Sequence, residues 1–196
     1  MKYLKKTLVL IPFFIVSCVS PCLYLKDYEP INVFLETQKL DKNKKYILQS
    51  DKQDSRQALR LFNGGEGIKH IIDSTDPTDY TDGLFVEKHW KKIYKKYAQD
   101  TLKKYWRKED FPKYDFILEQ GTGLLLKSSF NDKYLDSGIN EMIIISEPMY
   151  YWNRKYILFS YSKLYFDSSG SRVLVIMKKE EEKWVVVRTI GDYVYY

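Results

Sequence analysis

The side chains that could carry chemistry in this sequence are mostly carboxylates, because histidine and cysteine are scarce. The chain contains two histidines, His70 and His89, and two cysteines, Cys18 and Cys22. No serine or cysteine lies in a recognisable nucleophile turn, and the HExxH and GxSxG motifs are missing. Two cysteines and two distant histidines do not form a zinc or iron–sulfur site. We therefore expect neither nucleophilic nor zinc-dependent catalysis, and no bound cofactor.

Four aspartates recur at every third position ahead of the longest predicted helix: Asp73, Asp76, Asp79 and Asp82. Calcium favours clustered carboxylate oxygens, but the EF-hand loop places acids at every second position and a glutamate at position twelve. Aspartates also begin turns and stabilise the positive end of a following helix. We favour this structural role, and a calcium-dependent binding module with these four candidate ligands remains an alternative.

A pair of carboxylates at the right separation is sufficient to hydrolyse a glycosidic bond, and the chain has 26 acidic residues. Glu119, Glu141 and Glu147 lie near or beside apolar segments. Helix caps and strand ends explain these positions equally well, and nothing in the sequence selects a pair. A carboxylate-dependent hydrolase is therefore a second alternative, while a non-catalytic role is favoured.

In sequence, the four aspartates precede and the three glutamates follow a long amphipathic helix that we predict from Val86 to Trp106. Its apolar side chains recur every three or four residues, at Val86, Trp90, Ile93, Tyr94, Tyr97, Thr101, Leu102 and Tyr105. The residue before a proline is disfavoured in a helix, so Phe111-Pro112 predicts an end near Lys108.

This helical segment is also the most basic part of the chain. The segment from Val86 to Lys108 contains nine lysines and arginines and two acids, Glu87 and Asp100, which gives it a net charge of +7. A basic helix with an aromatic face can lie on an anionic membrane or bind an acidic protein. Alternatively, the aromatic face packs on a sheet and the lysines are only solvated. The candidate contact surface consists of Lys88, Lys91, Lys92, Lys95, Lys96, Lys103 and Lys104.

The N-terminus has the layout of a secretory signal. Three lysines precede an apolar run from Leu8 to Val16, and this run is too short to span a bilayer. The end of this run and the two residues after it, Ile15-Val16-Ser17-Cys18, resemble the lipobox of bacterial lipoproteins. That resemblance implies that Cys18 is acylated and becomes the mature N-terminus. Cleavage by an ordinary signal peptidase after Ser17, an uncleaved anchor and a buried N-terminal strand are the other readings.

This interpretation divides the chain into a signal peptide (1–17), a tether (18–29) and one domain (30–196). The mature chain has 29 bases, which is 32 minus the three lysines of the signal, and 26 acids, a net charge of +3. Nucleic acid is not an expected partner of a secreted protein. Val19 is not the aspartate of an inner-membrane retention signal, so we expect a lipid-anchored protein of the cell envelope, at the outer membrane.

The remaining pattern predicts an α+β domain. Helices are expected at 31–40 and 55–62, the second stopped by Asn63-Gly64-Gly65, and strands at 45–49 and 121–130. Four further strands, rich in β-branched and aromatic residues, are separated by short turns and must pair antiparallel. We expect a four-stranded meander covered on at least one face by helices, the long helix among them. Its strands are 141–146, 155–163, 172–179 and 183–190.

The last third of the chain resembles uncharacterised envelope lipoproteins of Gram-negative bacteria. The matching pieces are Ser146-Glu147-Pro148, the tyrosine-rich strand from Tyr156 to Tyr161, and Lys183-Trp184. Relatives of this kind often carry Cys and Gly before the third strand, where this chain has Ser168-Ser169-Gly170. The resemblance supports the expected fold and implies no activity.

Overall fold

The strands of this protein form one mixed sheet, and helices cover both of its faces. The computed structural model describes residues 25, 27–41, 43–64, 81–122, 130, 133–165 and 170–191. Within these ranges the main helices are α1 (Glu29–Thr37), α2 (Ser55–Phe62) and α3 (Glu87–Tyr97), and short 3-10 helices lie at Lys108–Asp110 and Leu135–Ser137. The strands are β1 (Tyr46–Gln49), β2 (Phe116–Glu119), β3 (Glu141–Ile145), β4 (Met149–Tyr151), β5 (Tyr156–Tyr165), β6 (Ser171–Glu180) and β7 (Lys183–Gly191).

The sheet combines a parallel half with an antiparallel half. Its strand order is β2-β1-β3-β5-β6-β7, and β4 pairs with β5. Strand β1 runs parallel to both β2 and β3, whereas β3, β5, β6 and β7 pair antiparallel. The carboxyl ends of β1, β2 and β3 therefore meet at one edge of the sheet.

Strands β3 and β4 lie along the same side of β5, with a break between them. Ile145 pairs with Tyr161, and Met149 pairs with Leu158. The residues between them are Ser146-Glu147-Pro148, and proline has no N–H to donate to the sheet. The break turns Glu147 away from the ladder, where its side chain becomes available for the interactions described below.

Each face of the sheet has its own apolar core. Helix α1 covers one face, where Phe34 packs against Phe159 and Tyr161. Helices α2 and α3 cover the other face, where Phe62 and Trp90 belong to the same cluster as Leu158, Leu174 and Ile176. Residues on the two faces alternate along β5, as the pleat of a strand requires.

The observed architecture agrees with the α+β prediction, but the predicted four-stranded sheet is too small. The four strands expected in the last third do pair antiparallel as neighbours, within a sheet of seven strands. Strand β4 and strand β2 were not predicted. Strand β1 extends the meander in parallel because the chain between β1 and β3 contains helices α2 and α3, which make the long connection that parallel pairing needs.

The predicted helix from Val86 to Trp106 is wrong over its second half, because α3 ends at Tyr97. The carboxylate of Asp100 accepts a hydrogen bond from the backbone N–H of Leu102, a local turn that competes with helix. Beyond it the chain pairs with the residues that follow β1. The N–H of Trp106 donates to the carbonyl of Ser50 at 2.8 Å, and the N–H of Lys52 donates to the carbonyl of Lys104 at 2.9 Å.

The helix predicted at 55–62 is confirmed with the same bounds, and the one predicted at 31–40 is observed as α1. Asn63 is the C-cap of α2, and Gly64 follows with a φ of 90°. The strand predicted at 121–130 lies mostly outside the described residues; its described ends, 121–122 and 130, are not in strand. Residues 1–24, with Cys18 and Cys22, also lie outside them. No helix among the described residues is long and apolar enough to cross a membrane.

Candidate functional site

A buried lysine and a buried glutamate meet where the parallel strands end. Lys52 follows β1 and Glu147 follows β3, so the parallel pairing of these strands brings both residues to the same edge. The Nζ of Lys52 lies 2.6 Å from Oε2 of Glu147, and the two side chains are only 6% and 4% exposed. A charge pair so well shielded from water is uncommon, because each ion must be desolvated.

Tyr28 and Trp106 complete this group, which we call the Lys52 cluster (Tyr28, Lys52, Trp106 and Glu147). The ammonium of Lys52 donates to the Tyr28 hydroxyl at 2.5 Å, and that hydroxyl donates to Oε1 of Glu147 at 3.2 Å. The Lys52 Nζ also lies 4.0 Å from the centroid of the Trp106 ring and 4.2 Å from that of Tyr28. Aromatic faces attract a cation at such distances.

The surroundings of the Lys52 cluster shift two pKa values in a consistent way. Burial lowers the pKa of Lys52, and the hydrogen bond and charge of Glu147 oppose that change. Burial raises the pKa of Tyr28, as does the negative charge of Glu147. The ammonium donates hydrogen bonds to Tyr28 and Glu147, and in this charged form it has no lone pair for nucleophilic attack. The cluster therefore holds four chain segments together rather than offering a reactive group.

The Lys52 cluster was not predicted from the sequence. Glu147 was considered as one of three candidate acids, while Lys52 and Tyr28 were not singled out. A usable signal was present, since both charged residues directly follow apolar strands whose carboxyl ends could meet at one edge of a sheet. That signal needed the parallel pairing of β1 with β3, which the sequence pattern did not supply.

Two of the three candidate acids of a hydrolase, Glu141 and Glu147, are not brought together. Glu141 is at the start of β3 and Glu147 lies beyond its end, so about six residues of extended chain separate them by roughly 20 Å. Paired glycosidase carboxylates lie within about 10 Å of each other. Glu119 is at the end of β2 and forms its own ion pair with Lys133. Glu141 and Glu147 therefore do not form the carboxylate pair that the hydrolase alternative needs.

Two of these acids, Glu141 and Glu119, are held as anions by neighbouring lysines. Glu141 accepts from Lys44 at 2.6 Å and lies 2.7 Å from the Nζ of Lys163. Burial by itself would raise its pKa, but the two lysines outweigh burial and lower the pKa. The pKa of Glu119 is lowered in the same way, with Lys133 and Tyr134 outweighing its burial.

Of the four candidate calcium ligands, Asp73, Asp76 and Asp79 lie outside the described residues. Asp82 is exposed, and its carboxylate lies 2.7 Å from the guanidinium of Arg188 on β7. Within the described ranges no group of three His, Cys, Asp or Glu side chains could hold a metal ion. The calcium hypothesis therefore stays a prediction about the segment before α3.

His70 also lies outside the described residues, whereas His89 is on α3. The ring of His89 is half-buried and stacks on Trp152 in the turn between β4 and β5, with ring centroids 4.8 Å apart. This contact fixes the start of α3 against the turn. We assign it a packing role.

The candidate basic surface follows α3 and the extended chain after it. Trp90, Ile93 and Tyr97 are buried on the sheet side, and the Trp90 indole donates to the carbonyl of Leu59 on α2. Of the seven candidate lysines, Lys104 is half-buried and forms an ion pair with Asp100 at 2.7 Å. The other six are exposed: Lys88, Lys91, Lys92, Lys95, Lys96 and Lys103.

The same segment carries exposed apolar side chains. Within the described ranges, the exposed large hydrophobic residues are Tyr94, Leu102 and Tyr105, at 40%, 78% and 47% exposure. Tyr94 and Leu102 lie between the first and the last candidate lysine, and Tyr105 directly follows the last one. We call the exposed lysines together with these three residues the basic–apolar strip. The strip joins positive charge with apolar surface, which a merely solvated lysine face does not need.

Comparison with known proteins gave no match, whether to a protein-family model, to a curated protein or to a solved structure.

Proposed function

We propose that this chain is a lipid-anchored protein of the bacterial cell envelope, at the outer membrane, that acts as a non-catalytic binding or structural module. The lipid on Cys18 supplies its location, and the basic–apolar strip supplies its contact surface. The observation that carries the proposal is the coincidence of exposed lysines and exposed apolar residues on one segment. The fold itself uses the opposite side of that segment for packing.

The anchor is supported by the sequence of the first 18 residues. Diacyl or triacyl modification gives durable membrane binding, because each buried CH₂ contributes about 0.8 kcal/mol, whereas a single chain binds only marginally. The domain then needs no membrane-spanning segment of its own.

The lipid anchor is tested by metabolic labelling with a palmitate analogue. We expect label and membrane retention in the natural chain, loss of both in Cys18→Ala, and no change in the matched variant Cys22→Ala. An unlabelled natural chain would refute the anchor. It would also reopen the readings in which Cys18 and Cys22 are free to pair.

The contact surface is tested by reversing four exposed charges together, Lys91, Lys92, Lys95 and Lys96 to Glu. We expect a salt-sensitive association of the protein with its partner surface to disappear while the near-ultraviolet circular dichroism stays unchanged. Association that is equally strong in the variant at low salt would contradict the proposed role of the strip.

A further inference from the structure

We infer that the basic–apolar strip lies flat on the anionic phospholipid surface of the same membrane that holds the lipid anchor. This inference rests on the proposed function and names the occupant of its contact surface. Four observations support it: the position where the tether begins, the reach of the tether, the type and spacing of the exposed residues, and the charge asymmetry of the chain.

The tether begins beside the strip. Tyr28, the last residue before α1, packs its ring edge against Trp106, with centroids 4.8 Å apart. Trp106 directly follows Tyr105, the last apolar residue of the strip. The Lys52 cluster fixes this arrangement, because Tyr28 is hydrogen bonded to Lys52 and to Glu147. The chain therefore passes the end of the strip at Tyr28, and Leu25 before it is still buried in the core cluster that contains Trp106.

The reach of the tether is limited. About ten residues separate Cys18 from Tyr28, and a fully extended chain of that length spans at most about 35 Å. Helix α3, with 11 residues, is roughly 16 Å long. The anchor thus holds the strip within a few helix lengths of the lipid headgroups. At such a distance the effective concentration is in the millimolar range, so even a weak contact is populated.

The composition of the strip suits a lipid surface better than an acidic protein. Its apolar residues are separated by lysines rather than grouped in one patch, as the core of a protein interface would be. Tyrosine is favoured at the membrane–water interface, and long lysine side chains can bury their stems while their charges stay in water. Leu102, at 78% exposure, is the residue best placed to enter the headgroup region.

The charge distribution orients the protein. The segment from Val86 to Lys108 has a net charge of +7, and the mature chain has +3, so the remainder carries −4. An anionic bilayer attracts the segment and repels the rest. Each lysine near such a surface changes the affinity by roughly fivefold at physiological salt.

The test uses the full-length protein purified with its lipid and reconstituted into two kinds of vesicle. One kind is phosphatidylcholine alone, and the other contains phosphatidylglycerol as well. A Leu102→Trp substitution provides the reporter, and the natural chain, whose tryptophan emission is subtracted, is the reference. We expect a blue-shifted reporter emission that is quenched by brominated acyl chains in the anionic vesicles only, and that is lost at high salt.

Two charge variants, each made in the reporter background, separate a specific contact from general attraction. Reversal of Lys91, Lys92, Lys95 and Lys96 to Glu is expected to abolish the shift. The matched variant reverses four exposed lysines elsewhere, Lys39, Lys45, Lys179 and Lys183. Each set contains one lysine that pairs with a nearby glutamate, Lys91 with Glu87 and Lys179 with Glu182. We expect the matched variant to retain the shift.

The outcomes distinguish this inference from the proposed function. Retention of the protein in phosphatidylcholine vesicles after a salt wash reports the anchor alone. If the protein is retained and its reporter emission is identical in both kinds of vesicle, the anchor stands and the lipid contact is overturned. Equal loss of the emission shift in both charge variants would also overturn the lipid contact. A photo-crosslinker at Lys92 that captures an acidic protein in cells, with no emission change on lipid, would also overturn it in favour of a protein partner.

Discussion

The Nζ of Lys52 and Oε2 of Glu147 lie 2.6 Å apart in the interior of the protein, at the carboxyl ends of two parallel strands. Their pairing joins three segments that are far apart in sequence, because Tyr28 bonds to both residues. The pair therefore fixes the start of α1 and the break after β3 in one place. Removing one partner would leave the other as an uncompensated charge in a dry environment.

We predict that Lys52→Met and Glu147→Gln each lower the free energy of unfolding by about 3–5 kcal/mol, the cost of breaking a buried ion pair. The double variant should lose less than the sum of the two, because no lone charge remains. Urea unfolding of the four proteins closes the thermodynamic cycle. The exposed pair of Lys113 and Glu36 is the control, and Lys113→Met should cost less than about 1 kcal/mol. Additive losses in the double variant would show that the two charges do not interact.

A second prediction concerns acid stability and Glu141. The folded pKa of this carboxyl lies below its usual 4.5, because Lys163 and Lys44 outweigh the effect of burial. Its contribution to stability is therefore complete above pH 4.5 and is lost as the pH falls through the lowered folded pKa. Glu141→Gln should be less stable than the natural chain by about 1–3 kcal/mol at pH 7, and the gap should narrow below pH 4.5.

Unfolding in urea at several pH values measures that gap. Glu182→Gln is the matched control, since Glu182 also pairs with a lysine but is fully exposed to solvent. Glu182→Gln should change the pH dependence much less than Glu141→Gln does, because solvent screens the pairing of Glu182 with Lys179. A constant difference between Glu141→Gln and the natural chain from pH 7 to pH 3 would refute the assignment.

The strands of the last third could be predicted because their β-branched runs are long and their turns are short. Strand β1 was also predicted, at 45–49, but β2 and the parallel pairing were not, since β1 and β2 have four residues each and their partners are distant in sequence. The turn between β6 and β7 shows a further limit. Glu181 and Glu182 both have positive φ, as a two-residue hairpin requires, although Asn-Gly is the usual sequence signal for such a turn.

The candidate functional residues also divide into those that the sequence predicts and those that it does not. The exposed lysines of the strip were predictable, because helical spacing alone separates the buried residues Trp90, Ile93 and Tyr97 from the charged face. The Lys52 cluster was not, because its members come from segments separated by up to 119 residues. Contacts of that kind are decided by strand pairing, which local periodicity does not encode.

A third prediction concerns backbone strain in the turn between β4 and β5. Trp152, Asn153 and Arg154 all have positive φ, a conformation that costs a residue with a side chain roughly 1–2 kcal/mol. Arg154→Gly should therefore stabilise the protein by about 0.5–1 kcal/mol, even though it removes the contact of the guanidinium with the Tyr150 ring. The neighbouring Lys155 does not have a positive φ, so Lys155→Gly should not stabilise the protein. Thermal unfolding of the two variants compares them, and equal effects would contradict the strain argument.

The last prediction concerns the residue that keeps the chain extended after α3. Trp106 is 2% exposed, its indole donates to the carbonyl of Ile145 at 3.2 Å, and its ring packs on Lys52 and Phe111. Trp106→Ala should cost about 3–5 kcal/mol of unfolding free energy, as large-to-small changes in a core do. Leu102, four residues earlier, is mostly exposed, so Leu102→Ala should change stability by less than about 0.5 kcal/mol.

Hydrogen exchange tests the mechanism behind that difference. In Trp106→Ala the amide of Lys52, which bonds to the carbonyl of Lys104, should exchange faster, while in Leu102→Ala its rate should not change. This follows because the extended chain from 102 to 106 is held by its last residue, where the indole is buried, and not by the exposed side chains before it. Equal protection of Lys52 in both variants would mean that backbone pairing alone keeps the segment extended.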